Sequence, residues 1–454
     1  MPSSQSSSSP NQVKNAAEKS LLYHPAIVWL LRIIVGATFV VSGFVKSIDP
    51  WGSVIKIGEY LSVWGWSIPD SLVTIAAFLL GGVEFVLGSL LLLGCYRRVA
   101  PWLLTLMMAV MLPLTLYIAI ANPVADCGCF GDFFVLSNTA TFVKNIFLTA
   151  FLVYLLFYNS KVGGLFIPYV QWIVGGLLSL YIFIVSFIGY NVQPMLDFRR
   201  FAPDTLLVPH EDEESEEDAD EDVTFEYIYS KDGRTESFSI DALPDSTWTF
   251  VERKLISGST EVSDGFTVIE DGEDIAPDII DNDGEQFIVT IPDISKVDLS
   301  YTYLINDLDD FITERGGSLV ALVNSDERGI DWWKDVSMAS YPIYNAEPTL
   351  LKELARGRAA LVYLDHGVVK WKRMLSSISY TYVTETPAAQ LLDELDPDPS
   401  FYLRGLTAFF GMILLVILFL DRSGRLVAWL IKHRKRKAGL QTATDGHSTD
   451  IQPE

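Results

Sequence analysis

The stretch Ala26–Val45, AIVWLLRIIVGATFVVSGFV, decides the fold, because Arg32 is its only charged residue. An α-helix rises about 1.5 Å per residue, so a run of this length matches the thickness of a hydrocarbon core. Five further runs have the same character: Leu72–Leu93, Pro101–Ala121, Thr139–Phe157, Phe166–Gly189 and Tyr402–Leu420. One such run fits a buried helix of a soluble protein, but so many predict an integral membrane protein in a lipid bilayer.

The charge of the chain is unevenly distributed. The 454 residues carry a formal net charge of −24, and half of them are hydrophobic. Segment 195–400 alone holds 46 Asp or Glu against 16 Lys or Arg, so the rest of the chain is slightly basic. Because the acidic surplus belongs to one block, the net charge does not point to a basic ligand, and nucleic-acid binding is disfavoured.

Basic residues predict the orientation in the membrane, since short cytoplasmic loops retain Lys and Arg. Those near the span ends fall on one side: Lys14, Lys19, Arg97, Arg98, Lys161, Lys432, Arg434, Lys435, Arg436 and Lys437. The loop Asn122–Asn138 has no Lys or Arg. We therefore expect both termini in the cytoplasm and residues 195–400 outside it. An outer domain that returns to a cytoplasmic basic tail is typical of a bacterial inner membrane.

Two of the three cysteines lie in the predicted outer loop, in the sequence Asp126-Cys127-Gly128-Cys129-Phe130-Gly131-Asp132. Cysteines one residue apart come within reach of a disulfide, and the intervening glycine tolerates the torsions of so small a ring. A bridge across one residue adds almost nothing to stability, so it suits exchange better than stapling. The third cysteine, Cys95, lies beside Arg97 and Arg98 on the cytoplasmic side, where we expect an inert thiol.

Two other interpretations of the pair stay open. The first is a zinc site, which lacks support because the loop has no His and no second cysteine pair. The second is a pair of free thiols packed at a tight turn, with the glycines serving geometry alone. The carboxylates of Asp126 and Asp132 are expected to raise the pKa of a neighbouring thiol, which argues against a strongly acidic nucleophile.

Spans one to four resemble the DoxX/MauE group of small four-helix membrane proteins over about residues 25–158. The motifs that carry the resemblance are Arg32, Gly36, the stretch Ser42–Pro50 (SGFVKSIDP), Gly82-Val83-Glu84 and Asp126–Gly131 (DCGCFG). The last is similar to the cysteine loop of the methylamine-utilisation (MauE) branch.

The resemblance implies a role in extracytoplasmic redox chemistry or in the maturation of a disulfide-containing partner protein. It identifies Cys127 and Cys129 as the catalytic pair. Supporting candidates are Gly128, Asp126, Phe130, Gly131, Lys46 and Glu84. The DoxX side includes quinone-linked oxidoreductase subunits, so a quinone is the electron acceptor that the resemblance suggests. The residues themselves indicate no quinone site, other cofactor or metal.

Glu84 lies within the second span, where a carboxylate is costly in lipid and usually faces a cavity or a partner. Lys46 is near the outer end of the first span. It can pair with Glu84 only if the two lie at the same depth, and otherwise its ammonium group would reach the membrane interface.

The outer block opens with an acidic run, Glu211–Asp222, which we interpret as part of a solvated linker. Beyond it, strands at Val223–Ser230, Arg234–Ile240 and Thr247–Ile256 predict a β-rich module. Residues 285–380 are predicted to have the element order βαβαβαββ, which resembles that of a thioredoxin-like redoxin. No cysteine follows Cys129, so this domain is expected to bind a partner rather than to act as a second thiol enzyme.

The predicted fold is a membrane all-α helical bundle, a four-helix DoxX/MauE-like core plus two further spans, with an extracytoplasmic α/β thioredoxin-like domain and a β-rich insert. Its segments are 1–24 disordered tail, 25–158 four-helix core, 166–190 fifth span, 195–222 acidic linker, 223–284 β-rich module, 285–380 thioredoxin-like domain, 402–420 sixth span and 421–454 basic tail. Two functions remain: a thiol–disulfide oxidoreductase component that exchanges with an extracytoplasmic protein, and a non-enzymatic scaffold that docks one.

Overall fold

The computed structural model describes residues 24–124, 127–209, 224–231, 234–239, 249–257, 265–270 and 272–445. The chain divides into two compact units. The helical unit comprises residues up to 198 and from 398 onward, and the sheet unit comprises residues 199–397. Each unit has hydrophobic core clusters of its own.

The helical unit contains seven helices in its described part. They are α1 (Pro25–Ile48), α2 (Pro50–Val63), α3 (Asp70–Leu92), α4 (Val99–Ala121), α5 (Asn138–Tyr158), α6 (Pro168–Asn191) and α13 (Pro399–Asp445). All except α2 are long and apolar enough to cross a membrane. The six predicted spans are therefore confirmed as helices.

Helix α2 was not predicted from the sequence, although its start carries a local signal. The Asp49 side chain accepts a hydrogen bond of 2.9 Å from the Gly52 backbone N–H, and Pro50 occupies the first helical turn. A capping aspartate followed by proline is a common helix start. Tyr190 on α6 stacks on Trp51 at 4.9 Å between ring centroids, so α2 packs back onto the bundle.

Glycines allow α1 and α3 to approach closely. A Cβ on Gly43 would lie 2.3 Å from the Phe85 backbone nitrogen and 2.6 Å from the Gly81 carbonyl oxygen. One heptad away, a Cβ on Gly88 would lie 3.0 Å from the Gly36 carbonyl oxygen. Small residues at such spacing let helix backbones meet in membranes. This crossing sets the depth of the polar side chains on both helices.

At the other end of the bundle, a fully buried arginine holds the turn between α5 and α6. Arg32 Nη1 donates to the Gly163 carbonyl oxygen at 2.8 Å, and Nη2 donates to the Asn159 carbonyl oxygen at 2.6 Å. The Arg32 Nε also donates to the Asn159 side chain. Cys95 is fully buried at this end. Arg32 therefore has a structural role.

The last helix extends beyond the predicted sixth span. The apolar run ends at Leu420, but α13 continues to Asp445, through the segment predicted as a separate basic tail. Lys and Arg are good helix formers, so the helix need not end where the apolar run ends.

The sheet unit is built on a mixed five-stranded sheet of order β10-β9-β6-β7-β8. Its strands are β6 (Glu285–Ile291), β7 (Ser318–Val323), β8 (Ile343–Asn345), β9 (Ala360–Asp365) and β10 (Val368–Met374). Strands β6, β7 and β8 are parallel, whereas β9 and β10 are antiparallel to their neighbours. The helices between them are α8 (Tyr301–Glu314), α9 (Glu327–Ser337) and α10 (Pro348–Leu354), so the predicted element order is confirmed.

Two hydrophobic layers cover the two faces of this sheet. Phe287, Val289 and Ile291 of β6 face the first layer, formed mainly by α8 and by two short helices, α11 (Tyr380–Glu385) and α12 (Ala388–Leu395). Ile288 faces the second layer, to which α10 and residues 201–208 and 266–280 contribute. A strand that is buried on both faces reads as a continuous apolar run, as β6 does.

A separate three-stranded antiparallel sheet precedes the mixed sheet. It has the order β2-β1-β3, formed by β1 (Thr224–Lys231), β2 (Arg234–Ser239) and β3 (Thr249–Ser257). The three predicted strands are confirmed. Two short strands, β4 (Ile269–Glu270) and β5 (Glu273–Asp274), and the short helix α7 (Ala276–Ile279) follow. The predicted acidic run Glu211–Asp222 lies outside the described residues.

Candidate functional site

The cysteine loop connects α4 to α5 and lies at the end of the bundle where α1 ends. Asn122 ends α4 in a left-handed conformation, and the Ser137 side chain caps α5. Gly128 has φ +65° and packs against α2, where an added Cβ would lie 3.1 Å from Lys56 Cγ. A glycine suits a left-handed position with so little space. Asp126, a predicted supporting residue, lies outside the described residues.

The two cysteines of the loop face each other. Both are free thiols, and their Sγ atoms are 2.7 Å apart. A disulfide bond is about 2.05 Å long, so a small movement of either side chain would bring the sulfur atoms to bonding distance. The Tyr60 hydroxyl of α2 donates to the Cys127 carbonyl oxygen at 3.1 Å. The loop backbone is thus held on the side that faces α2.

A buried ion pair lies directly beneath the loop. Lys46 Nζ is 2.7 Å from Glu84 Oε2, and both side chains are buried. Lys46 and Glu84 therefore lie at the same depth, which the sequence alone left open. Lys46 Nζ also donates to Ser42 Oγ at 2.8 Å.

The Ser42 hydroxyl connects this ion pair to the loop. Its oxygen is 2.7 Å from Glu84 Oε2 and 2.7 Å from the Cys129 carbonyl oxygen, and its single proton can be donated to one of them at a time. Ser42 belongs to the motif that carries the family resemblance, but no sequence pattern selected it as a site residue.

The thiol pair and the ion pair line one cavity of about 170 Å³. Its walls come from α1 to α5, and most of the wall surface is apolar; the apolar side chains include Phe39, Ile57, Leu80, Met107, Met108, Met111, Leu114 and Leu148. The polar groups besides the loop are Thr38, Ser42, Lys46, Ser53, Lys56, Tyr60, Glu84, Lys144 and Asn145. A cavity of this volume has room for one small, mainly apolar molecule of about the size of benzene beside the sulfur atoms.

Lys144 is a further site residue that sequence reasoning missed. It lies in the second turn of α5 and lines the cavity, and its Nζ is 4.3 Å from the centroid of the Phe130 ring. This places a cation against the residue that directly follows Cys129. A lysine inside an apolar span is itself a signal of function. The prediction of this span used only its apolar residues and did not consider Lys144.

The two thiols have unlike acidities. The hydrogen bond from Cys127 is the main cause that lowers the pKa of Cys129 to about 7, and burial opposes it, while Lys144 and Lys46 act in the same direction as the hydrogen bond. The same hydrogen bond and burial raise the pKa of Cys127. The expectation that Asp126 and Asp132 raise the pKa of a neighbouring thiol stays a prediction, because Asp126 lies outside the described residues.

Two other predicted supporting residues, Phe130 and Gly131, lie in the loop directly after the cysteine pair. Phe130 lines the cavity, and Gly131, with φ +52°, begins a short 3-10 turn that packs against Val45. Among the described residues, no three His, Cys, Asp or Glu side chains converge in a way that could hold a metal ion.

In the sheet unit, Trp333 is fully buried, whereas Trp332 is 44% exposed.

Two segments of the chain match known protein families. Residues 24–158 match the family model of methylamine utilisation protein MauE, and residues 223–257, which include β1 to β3, match a domain family of unknown function. No curated protein and no solved structure matches the chain.

The MauE part of the predicted resemblance is confirmed for its segment, and the DoxX part stays a prediction. Together with the six apolar helices, the match identifies an integral membrane protein with a bilayer environment.

Proposed function

We propose that Cys127 and Cys129 exchange electrons with a disulfide-containing protein on the extracytoplasmic side of the membrane. The observation that carries this proposal is the approach of the two free sulfur atoms to 2.7 Å beside a buried ion pair. Residues 24–158 are similar to a family linked by name to methylamine utilisation, and the maturation of a disulfide-containing partner is part of our proposal.

The exchange takes place in two steps. A thiolate of the pair attacks one sulfur of the partner's disulfide, so a mixed disulfide forms and the partner's other sulfur leaves as a thiolate. The second cysteine then loses its proton and attacks the mixed disulfide. The partner leaves with two thiols, and Cys127 and Cys129 become a disulfide. Two electrons pass from the pair to the partner.

The exchange is reversible, and a quinone is our proposal for the acceptor in the opposite direction. There, a partner dithiol would reduce the Cys127–Cys129 disulfide, and the resulting thiols would be oxidised again by transfer of two electrons and two protons to a quinone. The cavity of about 170 Å³ beside the sulfur atoms supports an acceptor whose ring is about the size of benzene.

The sheet unit is proposed to hold the partner. Its mixed sheet, with parallel β6, β7 and β8 and an antiparallel β9–β10 pair, supports the thioredoxin-like assignment. The chain has no cysteine after Cys129, so this unit would bind without exchanging disulfides. The placement of residues 195–400 outside the cytoplasm, in a bacterial inner membrane, belongs to the same proposal and rests on the distribution of Lys and Arg.

The alternative is a non-enzymatic scaffold whose helical unit anchors a docking domain. Its support is that the Ser42 contact to the Cys129 carbonyl and the Tyr60 contact to the Cys127 carbonyl fix the loop through its backbone, so the loop keeps its shape without a disulfide.

Trapping of the mixed disulfide separates the two functions. Cells that express the full chain with Cys127→Ser or Cys129→Ser would be quenched with acid and separated on a non-reducing gel. Disulfide exchange predicts a higher-mass adduct that reductant removes, in at least one single variant. The double variant should show none, and Cys95→Ser should behave as the wild type. Absence of an adduct in both single variants would favour the scaffold.

A further inference from the structure

Three lysines lie around the thiol pair, and a carboxylate opposes the charge of two of them. Lys46 Nζ is 2.7 Å from Glu84 Oε2, and Lys56 Nζ is 3.1 Å from Glu59 Oε2. In each pair the negative charge of the carboxylate offsets the positive charge of the lysine, so the net charge that the pair places near the sulfur atoms is small.

Lys144 differs from the other two. Within the described part of the chain, no Asp or Glu oxygen forms an ion pair with its ammonium group, whose close contact is the Phe130 ring at 4.3 Å. The ring face attracts the cation without neutralising it. The excess positive charge at this end of the cavity therefore belongs to Lys144.

The position of Lys144 favours one cysteine over the other. Phe130 directly follows Cys129, so the ring that holds the ammonium group is tied to that cysteine through the backbone. Ser42 fixes the Cys129 carbonyl oxygen at 2.7 Å, which limits how far the residue can turn away. The apolar cavity walls weaken solvent screening, so a nearby cation favours a thiolate strongly.

We propose that Lys144 is the positioning cation that holds Cys129 as a thiolate, so that Cys129 attacks the partner's disulfide and Cys127 resolves the mixed disulfide. This inference rests on the proposed function and adds the division of roles within the pair. The lowered pKa of Cys129 and the raised pKa of Cys127 agree with these roles. The hydrogen bond between the two cysteines is the main cause of both shifts, and the charge of Lys144 acts to lower both pKa values.

Other charged and titratable groups face the same cavity and must be separated from Lys144. They are Lys46 of α1, Lys56 and Tyr60 of α2 and Glu84 of α3, while α4 contributes Met107, Met108, Met111 and Leu114. On the loop itself, Asp132 follows Gly131.

The test is the rate of alkylation by iodoacetamide as a function of pH. It would use the purified, reduced full-length protein with Cys95→Ser, so that the pair alone reports. For Lys144→Met we expect the midpoint of the rate profile to rise by about one pH unit, and for Lys144→Arg we expect the wild-type midpoint. Lys161→Met is the matched control, because Lys161 Nζ also lies over a ring, that of Tyr158, at 4.6 Å but in the turn after α5.

Two results would overturn the assignment. One is a Lys144→Met midpoint equal to that of the wild type. The other is a shift in the double variant Lys46→Met/Glu84→Gln as large as that of Lys144→Met. Fragment mass spectrometry of the briefly alkylated wild type needs no lysine variant: first modification at Cys129 supports the roles, and first modification at Cys127 reverses them.

The alkylation assay uses no partner protein. The role of Lys144 can therefore fail while mixed-disulfide trapping succeeds, and trapping can fail while the shift is observed. The two proposals are distinguishable for that reason.

Discussion

Ser42 Oγ on α1 lies 2.7 Å from the carbonyl oxygen of Cys129, and the same hydroxyl lies 2.7 Å from the Glu84 carboxylate. A single short side chain thus joins a buried ion pair to the backbone of the thiol loop. The position of the cysteines is set from inside the helix bundle as well as from α2.

Replacement of Ser42 by alanine tests this connection. Ser42→Ala removes an acceptor for Lys46 and a donor for the loop, so we expect the free energy of unfolding to fall by about 1–2 kcal/mol. Thr38→Val is the control, because Thr38 Oγ1 bonds to the Ile34 carbonyl of its own helix. Thermal unfolding of the purified protein in detergent measures both. Equal losses in the two variants would contradict a special role for Ser42.

The Lys46–Glu84 pair should behave as a unit. Removal of one partner leaves the other as a buried unpaired charge, at a cost of about 3–5 kcal/mol for Lys46→Met or Glu84→Gln alone. The double variant removes both charges and should lose far less than the sum of the two. A double-mutant cycle on the midpoint of unfolding measures the coupling. Additive effects would mean that the two charges do not interact in the folded protein.

The close crossing of α1 and α3 predicts a steric effect at Gly43. A methyl group there would overlap the Phe85 nitrogen, so Gly43→Ala should destabilise the helical unit by about 1–3 kcal/mol. Gly58 on α2 has no heavy atom within 4 Å of an added Cβ, and Gly58→Ala should be neutral or stabilise by about 0.5 kcal/mol. Thermal unfolding compares the pair of variants. A harmless Gly43→Ala would show that the helices can separate without cost.

The adjacent tryptophans of α9 should differ sharply. Trp333 is fully buried and belongs to the core of the mixed sheet, so Trp333→Ala should cost about 3–5 kcal/mol. Trp332 is 44% exposed, and Trp332→Ala should change stability by less than about 1 kcal/mol. Denaturant unfolding of the full chain reports both. A Trp332 variant as unstable as the Trp333 variant would place Trp332 in the core as well.

Long apolar runs and strand patterns predicted most of the fold, because they depend on residues that are close in sequence. The six spans and the order of strands and helices in residues 285–380 were found in this way. Helix α2 was missed because its fourteen residues are too few to span a membrane, although Asp49 and Pro50 mark its start.

The site was predicted only in part, since its geometry depends on contacts between distant segments. The cysteine pair was recognisable from its spacing. The depth match of Lys46 and Glu84, by contrast, follows from the glycine crossing of α1 and α3, which no single segment reveals. Lys144 was passed over because one lysine does not disturb the pattern of an apolar span.

A reversible redox pair of Cys127 and Cys129 on the outer face can be detected by labelling with a membrane-impermeant maleimide. Spheroplasts that carry the wild type or the Cys127→Ser/Cys129→Ser variant would be labelled before and after reduction and oxidation. We expect two labels on the reduced wild type, none after oxidation, and none on the variant in either state. Labelling that oxidation does not change would contradict a redox pair, and no labelling in any state would contradict its placement on the outer face.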